Sequence, residues 1–445
     1  MLKTFSIGGI HPHDHKLAAR SPLKILAPEG IVSIFLGQHI GAPAEAIVAK
    51  GDKVKVGQLI AKASGFVSAN IHSSVSGTVI NIEPVADFTG RKQPAIIIQV
   101  EGDEWLENID RSNDIKREIT IDGAEIIKKI ADSGIVGLGG AAFPTHVKLS
   151  PPAGKTADAL IINAAECEPF LTSDHRVMLE YGEQSIIGTL LLKKALNAKT
   201  AYIGIESNKP DAIAHLRKIA SEYNYDVKIV PLKKLYPQGS EKQLIDAITR
   251  RQVPSMSLPI DVGVVVQNVG TAFAVYEAIQ KNKPLFENSF TITGKSVKEQ
   301  TNIIVRVGTP LSKIAEAAGG IPEDTGKIVC GGPMMGKAIL NMEAPTTKVS
   351  AALLFIPEKE ARRKEESNCI RCAKCIDACP MGLEPYLLIR YAQRNMFDEL
   401  EASKIQDCIE CGCCLYSCPA QLPLLDYVRL GKAETLKILR NRAKK

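Results

Sequence analysis

Two stretches of this 445-residue chain, "CIRCAKCIDACP" at 369–380 and "CIECGCCLYSCP" at 408–419, share one frame, CxxCxxCxxxCP. No other feature restricts the fold as strongly. Thiols at i, i+3 and i+6 let one tightly turned loop aim three sulfurs at a single point, and the Pro after the last Cys turns the chain away from a helix. Only Cys167 and Cys330 precede the two runs. Structural zinc prefers CxxC knuckles in two separated pairs, and the disulfides of secreted scaffolds do not come at spacings this short and regular. Two complete four-Cys runs fit both readings poorly.

The frame resembles the ligand run of bacterial two-cluster ferredoxins, in which the fourth Cys of each run reaches across to the other cluster. That resemblance implies two [4Fe-4S] clusters. Cys369, Cys372, Cys375 and Cys418 would hold one, and Cys408, Cys411, Cys414 and Cys379 the other, with Cys413 left over. Thiol-held clusters need a reducing compartment, which points to the cytoplasm. No signal-peptide pattern is present, and no uncharged apolar run approaches the roughly 18 residues that span a bilayer. From Arg429 to Lys445 there are seven Lys or Arg (Arg429, Lys432, Lys437, Arg440, Arg442, Lys444, Lys445) against one acid, Glu434, so the formal net charge of +6 resides in this end. A neutral body argues against nucleic acid as a partner, while a basic tail over 431–445 suits an acidic partner or anionic lipid.

Upstream of the cysteines the pattern divides into further domains. Residues 1–115 carry short β-branched runs punctuated by Gly and predict a β barrel-sandwich. This part resembles lipoyl and biotinyl carrier domains, but no Lys stands between Gly65 and Ile71, where a carrier would present its modified lysine. A docking or structural module is the expectation. Residues 116–289 alternate helical and apolar strand patterns and predict a Rossmann-like parallel α/β domain covered on both faces. Residues 290–345 predict a small β-grasp-like unit, and 346–430 a helical two-cluster domain. The fold class is thus multidomain α/β.

Within the α/β part, "GIVGLGGAAFPTHVK" (134–148) follows a helix and precedes a strand, which is the wrong placement for a dinucleotide fingerprint. The loop resembles the flavin loop of the NADH-oxidising flavoprotein subunit of respiratory complex I. "NAAECEP" (163–169), "YPQGSEKQL" (236–244) and "VVQNVGT" (265–271) follow in the order of that family's further flavin motifs. With the carrier-like domain and the two cysteine runs, the whole chain resembles the RnfC family of Rnf electron transport complexes. The resemblance implies non-covalent FMN beside an NAD(H) site, two [4Fe-4S] clusters, and peripheral attachment at the cytoplasmic face of a membrane complex. That complex, with integral membrane and ferredoxin-accepting subunits, couples electron transfer between ferredoxin and NAD to ion pumping.

By position, the backbones of Gly137, Gly139, Gly140 and Ala141 would line the flavin, and Lys148 would address its phosphate or ring. Asn163, Glu166, Tyr236, Gly239, Glu241 and Asn268 would complete the pocket, and Phe143 would stack on nicotinamide or adenine. Three departures stand out: Ala142 in place of a glycine of the complex I loop, and Ala165 and Cys167 in place of an acid and a glycine. No general acid or base is expected, because the cofactors do the bond chemistry. Two alternative functions are a soluble flavin reductase resembling cobalamin reductase and a ferredoxin-like adaptor without a working flavin site. "HPHDH" at 11–15 has metal-like spacing but suits a solvated turn better, and Cys330 suits a buried apolar thiol.

Overall fold

The computed structural model describes residues 2–442. Its N-terminal strands are β1 (Leu23–Ile25), β2 (Ile31–Phe35), β3 (Glu45–Ala46), β4 (Lys53–Val54), β5 (Leu59–Lys62), β6 (Ile71–His72), β7 (Gly77–Ala86) and β8 (Lys92–Val100). Two antiparallel sheets, β2-β8-β7-β4 and β3-β5-β6, enclose Val32, Ile34, Ile60, Ile71, Ile96 and Ile98. Alternation of apolar and polar residues gives each strand one inward face. At Gly77 the chains approach so closely that a Cβ would lie 1.9 Å from Gln99 O.

Next come α1 (Gly123–Asp132), α2 (Thr145–Lys148), β9 (Ala159–Asn163), α3 (Ser173–Glu180), α4 (Gly182–Leu196), β10 (Thr200–Glu206), α5 (Pro210–Glu222), β11 (Lys228–Leu232), α6 (Glu241–Thr249), β12 (Val264–Asn268) and α7 (Val269–Gln280). Asp122 caps α1 by accepting from Glu125 N, and Ile126 and Ile130, one turn apart, bury its inner face. The four strands are parallel in the order β11-β10-β9-β12. Helices α1, α4, α5 and α7 cover one face and α6 the other, which is why the strands are apolar throughout. Strand order reverses between β9 and β12, and the carboxyl ends of such a pair are where open α/β sheets form a binding crevice.

The third unit contains β13 (Glu287–Gly294), β14 (Thr301–Arg306), α8 (Leu311–Glu316), β15 (Thr325–Cys330), β16 (Lys337–Ala338) and β17 (Ala352–Pro357), followed by α9 (Glu358–Ala361). Its sheet runs β1-β14-β13-β17-β15-β16. Two of its strands lie outside the 290–345 span drawn from sequence. β17 sits in the middle of the sheet, and β1 comes from the N-terminal region, because hydrogen bonding follows spatial adjacency and not chain order. Cys330, at the end of β15, is half-buried.

The cysteine domain holds α10 (Lys374–Asp377), α11 (Pro385–Gln393), α12 (Phe397–Ala402), α13 (Cys413–Ser417) and α14 (Leu424–Arg442). The basic end is therefore not a free tail as far as Arg442. It forms the last turns of α14, with Thr435 buried and Arg442 paired to Asp398 and Glu401. Lys444 and Lys445 lie outside the described residues. Residues 2–22 are not part of the barrel either. They run as a strap across the other units: Lys3 bridges to Leu232, Ile10 to Tyr236, Gly9 N donates to Ala378 O, and Asn302 Nδ2 donates to Ala18 O.

Candidate redox site

Asn163 ends β9 and Asn268 ends β12, in direct register, so both stand at the point where strand order reverses. Asn268 caps α7, its Oδ1 accepting from Gly270 N and Thr271 N while its Nδ2 donates to Asp174. Thr271 Oγ1 in turn accepts from Leu138 N at 3.0 Å, fixing the start of the glycine loop. Gly139, Gly140 and Ala141 are exposed along its rim. A Cβ on Gly139 would lie 2.8 Å from Asn268 Nδ2, whereas one on Gly140 would meet nothing within 4 Å. The loop is thus a bare backbone edge held against the crevice, a surface on which a flat ring or a phosphate can approach closely.

Ala142 adopts φ +55°, the left-handed region that the glycine of the related loop favours. The backbone path survives the substitution at a steric cost. Lys148 Nζ donates to Glu241 at 2.8 Å and to Val266 O at 3.1 Å. Two of its three protons are committed, leaving one for a ligand. Asn163 ties two loops together, donating to Gly239 O and accepting from Ala165 N. Ala165 and Cys167, the two other departures, pack against Gly239, where a Cβ would come within 3.4 Å of both side chains. Gly137 N donates to Phe143 O, closing the loop on itself.

Sequence reasoning missed the groups that hold the 163–172 segment. Glu166 (φ +48°) and Phe170 (φ +70°) both have left-handed backbones, which are costly for non-glycine residues. The strap restrains them. Lys16 Nζ donates to the carbonyls of Glu166, Glu168 and Leu171 at 2.7–3.0 Å, His15 stacks on Phe170 at 4.8 Å, and Asp14 O accepts from Phe170 N. Lys209 Nζ adds a bond to Ala165 O at 2.7 Å. Glu166 Oε1 accepts from Asp174 N, while its Oε2 is buried without a hydrogen-bond partner 3.8 Å from Lys16. Burial lowers Lys16 to about 8; burial and the nearby Glu166 raise Asp174 to about 7. Asp14 and His15 of "HPHDH" thus clasp this loop, while His11 and His13 stay exposed. Asp14 pairs with Lys234, and no three His, Cys, Asp or Glu side chains among the described residues converge on a single-ion point.

The cysteines surround two cavities. Cys379, Cys408, Cys411 and Cys414 line the inner one, about 390 Å³ of empty space walled by Leu383, Leu388, Leu425 and Val428. Cys369, Cys372, Cys375 and Cys418 line the outer one, about 700 Å³, with Tyr386, Leu422 and Leu424. Each cavity thus takes three thiols from one run and the fourth from the other. The sulfurs are spread around a space instead of meeting at a point, which suits a multi-iron cluster better than a lone tetrahedral zinc. Burial pushes the Cys408 thiol up to about 11. It would become a thiolate only beside the positive charge of a metal. Cys413 also borders the inner cavity, but its Sγ donates to Tyr236 O at 3.9 Å.

Tyr236 joins the two sites. Its ring is buried, and its hydroxyl donates to Cys411 O at 2.9 Å, so it points to the backbone of the second cysteine run. Ile10, Ala378, Cys411 and Cys413 pack with it, and Cys167 lies against the same cluster while its Sγ accepts from Gly239 N. This cluster thus touches both the loop at Gly239 and the second cysteine run.

A switch-point crevice with a bare glycine edge, backed by a domain of two thiol-lined cavities, defines an electron-transfer protein that joins a flavin domain to a ferredoxin-like module. Family models match in four places: the RnfC barrel sandwich hybrid domain over 3–103, the Nuo51 FMN-binding domain over 130–277, the SLBB domain over 289–338 and a 4Fe-4S dicluster domain over 361–419. The C component of the proton-translocating ferredoxin:NAD(+) oxidoreductase complex of Clostridium ljungdahlii is 46% identical over 437 residues, covering 98% of this chain and 94% of its own. The C component of the Na(+)-translocating ferredoxin:NAD(+) oxidoreductase complex of Acetobacterium woodii is 42% identical over 433 residues, 96% of each chain. The chain belongs to the RnfC family of ion-translocating oxidoreductase complexes. A solved NAD+-reducing [NiFe]-hydrogenase chain is 19% identical, with a TM-score of 0.49 over 71% of this chain and 63% of that one. No helix among the described residues is long and apolar enough to cross a membrane.

Proposed function

We propose that this chain exchanges electrons with NAD(H) at an FMN seated in the β9/β12 crevice and passes them through two [4Fe-4S] clusters. It would do so as a peripheral subunit, at the cytoplasmic face, of a membrane complex whose integral membrane and ferredoxin-accepting subunits carry out ion translocation. Bound FMN supplies the conversion between the paired electrons of a hydride and the single electrons a cluster accepts. The protein contributes placement. Gly139, Gly140 and Ala141 offer a bare backbone edge, Lys148 its remaining N–H, and Asn163, Gly239 and Asn268 the crevice floor. Phe143 stands on the same loop, where a stacked ring would meet it.

The observation that supports the reading is the Tyr236 cluster: its hydroxyl bonds Cys411 O, and it packs with Cys167, which accepts from Gly239 N next to Asn163. A donor and acceptor joined through one packed cluster would need no carrier that moves. The inner cluster receives electrons first and the outer one passes them on. Anaerobic protein should carry about eight irons, and NADH should bleach their visible absorbance. Gly139→Leu should lose FMN, and NADH-driven bleaching with it, while dithionite still reduces the clusters. Bleaching by NADH at the normal rate in that flavin-free variant would overturn the route.

A further inference from the structure

The tip of the N-terminal β unit stands beside the glycine loop. Between β5 and β6, where a carrier domain would extend its modified lysine, the chain presents Phe66 with 64% of its surface exposed. The tip is rigid. Ser64 N and Ala63 N donate to Ser68 Oγ and Asn70 Oδ1, Ser68 Oγ donates to Ala42 O, and Ala42 N donates to Val67 O. It is also fixed to the flavin loop. His146 Nε2, on α2, donates to Phe66 O at 3.0 Å, the Phe66 and His146 rings meet edge to face at 6.1 Å, and Ile40 N donates to Ala142 O at 3.3 Å. The exposed edge of Gly139, Gly140 and Ala141 therefore runs from Asn268 in the crevice at one end to Ile40 and Phe66 at the other.

We propose that Phe66 forms the adenine subsite for NAD(H), with the barrel tip as the outer wall of the dinucleotide site. This rests on the proposed FMN and NAD(H) reading. The nicotinamide must lie against the flavin, which takes the crevice end of the loop, so the far end of the dinucleotide points outward along the loop to the tip. A large exposed aromatic ring on a loop cross-tied by hydrogen bonds is a stacking platform for a flat base. A carrier-like domain without its carrier lysine thus acquires a role: it completes the substrate site of its neighbour.

The test uses FMN-loaded, cluster-loaded protein with ferricyanide as electron acceptor. Phe66→Ala should raise the KM for NADH by roughly tenfold, the size of a lost base–aromatic stack, while kcat stays within about twofold and FMN content is retained. Phe66→Trp should restore the KM. With reduced nicotinamide mononucleotide, which lacks the adenosine, Phe66→Ala and the unaltered protein should behave alike. An unchanged KM for NADH, loss of FMN from Phe66→Ala, or an equal penalty with the mononucleotide would each overturn the proposal. Failure of the unaltered, FMN-loaded protein to oxidise NADH would instead bring down the underlying reading, and this subsite with it, without any variant being involved.

Discussion

The two thiol cavities derive from the same twelve-residue frame yet occupy different surroundings. The inner one lies behind Tyr236 and beneath α14, with Lys432 Nζ donating to Cys408 O at 2.6 Å and pairing with Glu410. The outer one opens to solvent: Cys372 is exposed, and Ile370 beside it stands mostly free. Identical ligand spacing therefore does not mean identical surroundings. On the route proposed above, the more enclosed cavity beside Tyr236 would relay electrons, and the one at the surface would hand them to another subunit. A surface cysteine with an apolar neighbour suits an interface covered in the complex.

Breaking one cluster at a time gives the largest contrast. Cys411→Ser should remove about half of about eight irons and leave the outer cluster unreduced by NADH, because the relay is cut. Cys372→Ser should also cost about half, while the inner cluster still bleaches with NADH. Iron analysis with anaerobic stopped-flow absorbance separates them, and equal behaviour would erase the distinction between relay and exit. Cys413→Ser should leave the iron content unchanged.

Lys432 sharpens the comparison further. Lys432→Met removes a charged hydrogen bond beside the inner thiols alone, at about 1.5–3 kcal/mol. Thermal bleaching should then begin at the inner cluster, followed by its spectral signal, with the outer cluster unaffected at that temperature. The same geometry predicts that deleting residues 432–445 harms the inner cluster, since the deletion removes the Lys432 bond to Cys408 O.

Lys348 offers a control outside both cavities. It is fully buried, donates to Asn70 O and Gly134 O at 2.7 Å, and burial lowers it from 10.5 to about 7. Between those values the unfolded chain holds a proton the folded one has released, so this site's contribution to stability rises with pH from 7 to 10.5 and its cost is complete below 7. Relative to Lys348→Met, the unaltered protein should lose on the order of 2 kcal/mol between pH 9.5 and pH 6.5, measured from thermal midpoints. Both clusters should respond alike. A smaller gain is expected from Ala142→Gly, about 0.5–1 kcal/mol from relief of the left-handed backbone, again without distinguishing the cavities.

Both cysteine runs could be read directly because their ligands recur at local spacings, and the alternation of helix and strand marked the α/β unit. Much of the crevice could not. Asn163 and Asn268 become neighbours only through strand pairing. Lys16 gives no sequence signal, because its partners are backbone carbonyls about 150 residues away and any residue supplies a carbonyl. Tyr236 sits in a motif whose resemblance pointed to the flavin, yet its hydroxyl turns toward Cys411, since a buried phenol goes where an acceptor is available. The basic end looked like a tail because charge dominates its composition; the apolar spacing of Leu424, Leu425 and Val428 and the buried Thr435 nonetheless carry the helix through it.

By itself the sequence determined the chemistry available: eight thiols in two frames, a glycine loop, and a barrel tip without a carrier lysine. These are local properties, written in short-range spacing. Tertiary structure decided which set of thiols is more deeply buried, which strand the third sheet borrows, and what the N-terminal strap and Phe66 touch. Those outcomes depend on burial and on pairing between distant segments, and the physical terms that set them, desolvation and hydrogen-bond satisfaction, act on neighbours in space whatever their separation along the chain.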